Sequence, residues 1–266
     1  MSVYATELFT GKTVLITGAS SGIGRAFAQR AAAHGARLVL VARRAPVLAE
    51  LATELQTRHD SQVHVIPCDL AIPGAGTQLH DEVVAAGLEV DILVNNAGVG
   101  AHGDLVAARA ADVVAQIQLN VTALAELTTL FLPAMTARRQ GTVINIASTA
   151  AFQAIPHMAV YGATKAFVLS FTRALWAETK ATGVRVIAVC PGATDTEFFD
   201  IAGEAASVGR RRSPGDVVDT ALRALHRHRP SVVDGISNAA VAMISPRLPA
   251  RVAIGAAERS VRPTAG

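Results

Sequence analysis

A tyrosine and a lysine four residues apart could carry out acid–base chemistry. Tyr161 and Lys165 fall in a stretch with helical periodicity, which places both side chains on one face of a helix. Free tyrosine has a pKa of about 10, and a nearby ammonium group favours the phenolate and should lower that pKa. Ser148 follows an apolar strand-like run, where its hydroxyl could bond a carbonyl oxygen. A Tyr-x-x-x-Lys pair alone is typical of an amphipathic helix surface, but Ser148 favours proton transfer at a carbonyl or alcohol.

A glycine-rich stretch near the amino terminus could hold a phosphate. Residues 17–24 read T-G-A-S-S-G-I-G, between the apolar run Val14 to Ile16 and an alanine-rich helical pattern. Gly18, Gly22 and Gly24 allow a tight turn and a close approach to a pyrophosphate at a helix N-terminus. The alternative is a strand-to-helix turn that binds nothing, which the flanking elements and the position near the amino terminus disfavour.

The elements that must position these residues alternate between strands and helices. This order predicts an α/β protein, a single doubly wound Rossmann-type domain over 1–266 with a parallel sheet flanked by helices and a core at about 11–235. Pro133 should bend or end its helix, and Gly183 is a plausible C-cap for the Tyr161 helix. The expected strands are 13–17, 37–42, 63–67, 92–94, 142–147, 185–189 and 232–235, and the expected helices are 22–34, one around Leu48, Leu51 and Leu55, 77–87, 104–117, 119–137, 161–182 and 213–228.

Polar residues and glycines follow the ends of these strands. In an open parallel sheet, ligands bind beyond the carboxyl ends of the strands. One cleft is therefore expected to be lined by Gly18, Arg43, Asp69, Asn95, Ser148 and the pair Pro191 and Gly192.

These motifs together resemble the classical short-chain dehydrogenase/reductase family. The glycine spacing is G-x-x-x-G-x-G rather than G-x-G-x-x-G, and the likeness covers roughly residues 11 to 235. The matching motifs are Thr17 to Gly24, Asn95 to Gly98, Asn120, Ser148, Tyr161, Lys165 and Pro191 to Thr194.

The resemblance implies an oxidoreductase that interconverts a carbonyl and an alcohol. It makes Tyr161 the general acid in reduction and the base in oxidation, with Ser148 positioning the substrate oxygen. By the same resemblance Lys165 lowers the tyrosine pKa and holds the nicotinamide ribose. Asn120 resembles the residue that holds a water in a proton relay; the competing interpretation is an asparagine that only kinks the helix. A catalytically silent cofactor-binding sensor or scaffold is the alternative function.

The cofactor is expected to be NADP(H) rather than NAD(H). NAD-specific folds place an acid at the end of the second strand, whereas this strand ends in Val41-Ala42-Arg43-Arg44, and Arg43 could pair with a 2′-phosphate. Asn96 to Gly98 and Asp69 would border the adenosine, and Thr194 would touch the nicotinamide carboxamide. The cofactor-binding residues expected are Gly18, Ser20, Ser21, Gly22, Ile23, Gly24, Arg43, Asp69, Leu70, Asn96, Ala97, Gly98, Tyr161, Lys165, Pro191, Gly192 and Thr194.

Two segments should flank the nicotinamide and shape the substrate pocket. They are the loop after Ser148 and a lid at 194–212, and neither has a lysine or arginine before Arg210. Apolar walls suit a hydrophobic ketone, 3-oxoacyl or steroid-like compound, although Phe198 and Phe199 could instead only pack the lid on the core. The expected substrate-binding residues are Ala150, Phe152, Ile155, Phe198 and Phe199.

Composition narrows the location and the partners. Net charge is +3 and aromatic residues are 4%, which disfavours nucleic-acid binding. Cys68 and Cys190 both follow apolar runs, so we expect them to be small core residues in a protein of a reducing compartment. Their spacing in the sequence does not suggest a metal site. No signal peptide and no run of 18 apolar residues are apparent, so the expectation is a cytoplasmic chain without an integral membrane segment.

Two regions could contact partners. The helices in 104–137 carry alanines, leucines and Phe131 over more than one face, which predicts a homodimer or homotetramer. The extension 236–266 could be a short helix packed on the domain, a dimer contact or a membrane-surface anchor, and packing is the favoured interpretation.

Overall fold

Seven parallel strands form one sheet in the order β3-β2-β1-β4-β5-β6-β7. The computed structural model describes residues 2–203 and 209–261. The strands are β1 (Thr13–Thr17), β2 (Arg37–Ala42), β3 (Val63–Pro67), β4 (Ile92–Asn95), β5 (Gly141–Ile146), β6 (Val184–Cys190) and β7 (Ser231–Val233). The helices are α1 (Ser2–Phe9), α2 (Gly22–Ala32), α3 (Ala45–His59), α4 (Ala75–Ala85), α5 (Ala110–Ile117), α6 (Ala123–Ala137), α7 (Ala159–Glu178), α8 (Phe198–Ala202), α9 (Pro214–His226), α10 (Ile236–Ile244) and α11 (Ala250–Val261).

The sheet is buried on both faces, which explains its nearly continuous apolar strands. Val14 and Ile16 of β1 pack with α2, α3 and α9 on one side. Leu15 between them packs with α4 and α6 on the other side. The alternation along one strand therefore joins two helical layers, and the predicted doubly wound α/β fold is confirmed.

The strand order reverses between β1 and β4, and this defines where a ligand site forms. From β1 the chain proceeds outward through β2 and β3, then returns to add β4 to β7 on the other side. Loops after β1 and β4 diverge at that point and leave a crevice above the carboxyl ends. Both predicted motifs, the glycine turn and the Asn95 to Gly98 segment, follow these two strands.

Helix boundaries differ from the sequence-based prediction at several places. Residues 104–117 contain a short 3₁₀ turn, Leu105–Ala107, before α5. Pro133 lies inside α6, which continues to Ala137. Gly183 is not a C-cap: α7 ends at Glu178, and Gly183 has φ +82° in the turn that leads into β6. Just past this end, Thr179 donates from its hydroxyl to the Leu175 carbonyl at 2.9 Å.

The helical run Ala110–Ala137 is long and apolar enough to cross a membrane by length and composition alone. A π turn, Gln118–Thr122, joins α5 to α6 within this run. In the fold α6 packs on β4, β5 and α4, with Leu127 and Phe131 in the core. This is the packing of a core helix in an α/β domain.

The lid segment 194–212 is anchored at both ends. Thr194 pairs with Arg212 in an isolated β-bridge, which brings the two ends of the segment together. Arg212 donates from Nε to Asp234 Oδ2 at 2.6 Å, and Thr220 donates to Asp234 Oδ1 at 2.6 Å. Asp234 is fully buried just after β7, so it fixes the base of the lid to the sheet edge.

Candidate active site

Ser148, Tyr161 and Lys165 meet beyond the carboxyl end of β5. Ser148 caps a 3₁₀ turn, and its Oγ accepts a hydrogen bond from the Ala150 N–H at 3.1 Å. Tyr161 lies in the first turn of α7, and Lys165 follows one turn later with its Nζ 5.8 Å from the Tyr161 ring centroid. Lys165 is buried and donates to the Ile146 carbonyl at 2.9 Å. The carbonyl at the end of β5 thus holds Lys165 near the Tyr161 ring.

Burial changes the acid–base properties of this group. It raises the pKa of Tyr161 to about 12, while hydrogen bonding with Ser148 acts in the opposite direction. It also lowers the pKa of Lys165 to about 8. In this arrangement the pKa of Tyr161 is therefore raised and not lowered as expected, because desolvation outweighs the hydrogen bond with Ser148. Tyr161 carries its proton at neutral pH, as a general acid must.

Asn120 lies in the π turn and fastens the loop after β4 to α7. Its Oδ1 accepts from the Val99 N–H at 2.9 Å, and its Nδ2 donates to the Val99 carbonyl at 2.8 Å and to Thr164 Oγ1 at 3.1 Å. Thr164 immediately precedes Lys165. The side chain of Asn120 therefore positions backbone on both sides of the site and does not face the cavity.

The glycine turn is closed by Asn96. Its Nδ2 donates to the Thr17 carbonyl at 2.9 Å and the Gly18 carbonyl at 3.2 Å. Gly18 has φ +64°, and an added Cβ there would lie 2.8 Å from Asn96 Nδ2. A Cβ on Gly24 would lie 2.3 Å from the Gly18 carbonyl oxygen. Gly24 therefore allows α2 to pack against the turn and does not line the cavity, contrary to its expected cofactor contact.

A cavity of about 500 Å³ joins the glycine turn to the Tyr161 group. Sixteen of the seventeen expected cofactor-binding residues line this cavity, and Gly24 is the exception. Asn95 was expected in the cleft but turns into the core, where its Nδ2 donates to Asn145 Oδ1 and Thr128 Oγ1. The expected cofactor-binding residues that line the cavity are Gly18, Ser20, Ser21, Gly22, Ile23, Arg43, Asp69, Leu70, Asn96, Ala97, Gly98, Tyr161, Lys165, Pro191, Gly192 and Thr194.

Four of the five expected substrate residues line the same cavity. They are Ala150, Ile155, Phe198 and Phe199. Phe152 does not: it packs into a core cluster, and the Arg173 guanidinium carbon lies 5.6 Å from its ring centroid. The short 3₁₀ helix Thr149–Phe152 directs Phe152 away from the side of Ala150. The sequence pattern did not indicate this helix.

Phe198 of the lid packs beside Tyr161. Its ring centroid lies 5.3 Å from that of Tyr161 and 5.3 Å from that of Phe199. A Cβ on Gly100 would lie 2.4 Å from the Phe198 ring, so glycine leaves room for this ring. The lid thus places an aromatic wall beside the Tyr161 ring.

Several cavity-lining residues missed by the sequence reasoning come from the carboxyl-terminal extension. Val241 of α10 and Ser260 and Val261 of α11 line the cavity. The Val261 carbonyl lies 2.6 Å from His102 Nε2, which ties α11 to the loop after β4. No motif marks these contacts, because they depend on docking of the extension. Other lining residues that the sequence reasoning missed are Arg44, Gln153, Met158, Thr196, Glu197 and Asn238.

The cavity fits a dinucleotide on its own geometry. At one end Gly18 and Gly22 of the glycine turn, both with positive φ, line the cavity, so main chain without a Cβ borders the space that a phosphate would take. Arg43 and Arg44 line the cavity beside the turn, and β2 ends without an acid. At the other end the cavity reaches Tyr161 and Lys165.

Comparison with known proteins places these features in a family. The family model described as short chain dehydrogenase matches residues 12–206. The NADP-dependent 3-hydroxy acid dehydrogenase of Schizosaccharomyces pombe is 32% identical over 237 residues, which are 84% of this chain and 90% of that protein.

Two solved structures have the same architecture. A short-chain dehydrogenase from Sphingobium yanoikuyae in complex with NADPH has a TM-score of 0.81 and 34% identity, and the match covers 89% of this chain and 93% of that one. The bulky-bulky ketone specific alcohol dehydrogenase from Comamonas testosteroni has a TM-score of 0.76 and 32% identity over 85% and 86% of the two chains. The chain belongs to the short-chain dehydrogenase/reductase family, whose members are oxidoreductases acting on alcohol and carbonyl groups.

Proposed function

We propose that this protein is an NADP(H)-dependent oxidoreductase that interconverts a hydrophobic ketone, such as a 3-oxoacyl or steroid-like compound, and its alcohol. The observation that carries this proposal is that Ser148, Tyr161 and Lys165 share one cavity with the glycine turn. A dehydrogenase needs the proton donor and the dinucleotide site to be joined in this way. When bound, the nicotinamide cofactor supplies or accepts the hydride.

The chain's own residues handle the oxygen and its proton. Tyr161, protonated at neutral pH, donates its hydroxyl proton to the carbonyl oxygen in reduction and takes it back in oxidation. Ser148 holds that oxygen in place with its hydroxyl. Lys165, held by the Ile146 carbonyl, keeps a positive charge near the tyrosine and holds the cofactor ribose. Asn120 keeps Val99 and Thr164 in place with its side chain, and its part in holding a water of a proton relay stays a prediction from the family resemblance.

Preference for NADP over NAD follows from charge at the end of β2. Arg43 and Arg44 border the cavity there, and an arginine recognises a phosphate with two parallel hydrogen bonds. NAD recognition instead uses a carboxylate on the ribose 2′-hydroxyl, which β2 does not provide.

The apolar substrate is supported by the walls near Tyr161. Ile155, Met158, Phe198 and Val261 are large apolar side chains of the cavity lining. Among the described lining residues the cationic ones are Arg43, Arg44 and Lys165, which are assigned to the cofactor or to the catalytic group. A substrate carboxylate would therefore lack a dedicated partner. The test is NADPH oxidation with pairs of similar-sized ketones, one aromatic or aliphatic and one bearing a carboxylate; a higher kcat/KM for the charged member would refute the apolar pocket.

Assembly into a homodimer or homotetramer is proposed from exposed apolar groups around α5. Val106 is 96% exposed and Val114 is 64% exposed, and Leu105 and Ile117 are exposed as well. Covering such groups normally requires a partner surface. Light scattering should detect an oligomer at micromolar concentration, and a clean monomer would contradict this. A cytoplasmic location stays part of the proposal.

A further inference from the structure

The outer side of α10 carries its large apolar residues. Asn238 and Ala242 face the protein, and Ala242 is buried. Ile236, Met243 and Ile244 lie on the opposite side and are 92%, 60% and 51% exposed. This is the reverse of an ordinary surface helix, which turns its large apolar side chains inward.

Helix α11 repeats this reversed arrangement. Its buried stripe consists of small residues at a four-residue spacing, Ala253, Ala257 and Val261. Val252 lies on the other side and is 54% exposed. Leu248, in the connection between the helices, is also exposed. We call Ile236, Met243, Ile244, Leu248 and Val252 the C-terminal apolar face.

The charged residues within 236–257 have one sign. Between Gly235 and Glu258 the sequence has two charged residues, Arg247 and Arg251, and both are exposed. Apolar side chains beside exposed arginines are typical of helices that lie in the interface of a membrane with anionic lipids.

The face also borders the cavity. Val241 lies on the flank of α10, is 52% exposed and lines the cavity, as Val261 does at the end of α11. The hydrogen bond between Val261 and His102 holds α11 in place. The apolar surface is thus continuous with an apolar cavity wall.

We propose that the C-terminal apolar face docks on the surface of a lipid bilayer that contains anionic lipids. A twofold contact between two copies through this face would bring Arg247 and Arg251 of both copies together with no carboxylate of the face between them. An anionic bilayer instead complements those charges and buries the apolar side chains. Delivery of a membrane-dissolved substrate to the cavity beside Val241 follows from docking, and this consequence alone rests on the proposed function.

The test is sedimentation of the full-length protein with lipid vesicles, without cofactor or substrate. Vesicles of phosphatidylcholine containing about one third phosphatidylglycerol should bind the protein, pure phosphatidylcholine should bind it much less, and added salt should release it. Arg247→Gln with Arg251→Gln should lower the partition coefficient on anionic vesicles about 30-fold, from two interfacial charges. Met243→Ser with Ile244→Ser should lower it about tenfold or more.

The matched control is Ile72→Ser with Val84→Ser, which removes two apolar side chains of similar exposure from another part of the surface and should leave binding unchanged. All substituted side chains are exposed, so thermal melting should be unchanged and a folding defect would be visible there. Absence of vesicle binding, or equal loss in the control, overturns the proposal. Dissociation of an oligomer by Met243→Ser with Ile244→Ser, without vesicle binding by the wild type, would assign the face to a second copy instead. Ketone reduction in solution does not enter this readout, so failure of docking and failure of the proposed activity are distinguishable.

Discussion

Arg44 donates from Nη2 to Glu197 Oε2 at 2.7 Å, and this ion pair joins the turn after β2 to the lid. The same Nη2 donates to Ser20 Oγ at 3.1 Å in the glycine turn. Both charged side chains are about half exposed, so the pair adds little to stability. The position of the pair matters more, because Glu197 competes with a cofactor phosphate for the guanidinium of Arg44.

Glu197→Gln should therefore tighten NADPH binding by about two- to fivefold, the value of an exposed ion pair that no longer competes. NADH, which lacks the 2′-phosphate, should bind with unchanged affinity. Fluorescence titration with both cofactors measures this. Glu89→Gln is the control, since Glu89 pairs with Arg138 away from the cavity. Equal changes for NADPH and NADH would contradict the idea.

Arg43→Ala should weaken NADPH binding roughly 10- to 100-fold, the range expected for a lost charged hydrogen bond. NADH binding should change less than about twofold. The ratio of kcat/KM for the two cofactors is the decisive quantity. If that ratio does not move, the 2′-phosphate is recognised elsewhere and the assignment of Arg43 is wrong.

Asp234→Ala should lower the free energy of unfolding by about 2–4 kcal/mol, because it leaves Arg212 and Thr220 without their buried acceptor. Asp234 is fully buried, with both carboxylate oxygens bonded at 2.6 Å. Urea unfolding measures the change. Asp112→Ala removes an exposed carboxylate paired with Arg109 and should cost less than about 0.5 kcal/mol. A similar small effect at Asp234 would mean that the lid base is not held by this carboxylate.

The lowered pKa of Lys165 should make the free energy of unfolding rise with pH. Burial lowers its pKa in the folded protein to about 8 from the ordinary lysine pKa of about 10.5. Between these values the unfolded chain binds more protons than the folded one, so the free energy of unfolding rises with pH in that window. From pH 7 to about pH 9 the wild type should gain about 1 kcal/mol relative to Lys165→Met. Parallel pH profiles for the two proteins would show that the lysine is not perturbed in this way.

The sequence was most informative where a local pattern is sufficient. Apolar runs predicted all seven strands within about two residues, and the positions of Ser148, Tyr161 and Lys165 at strand and helix ends predicted one shared site. Contacts that depend on docking of distant segments were not accessible. Helix α1, the turn of Phe152 into the core, and the approach of Val241 and Val261 to the cavity all depend on tertiary packing. The pKa of Tyr161 was misjudged for the same reason, since desolvation cannot be read from a four-residue spacing.

The most direct test of the central claim is the kcat/KM of Tyr161→Phe with NADPH and the best ketone of the panel. The variant should fold, bind NADPH like the wild type, and lose roughly 100- to 10,000-fold in kcat/KM, the usual contribution of a general acid. A Tyr161→Phe protein that is folded, binds NADPH and keeps the wild-type kcat/KM would contradict the assignment of Tyr161 as the proton donor.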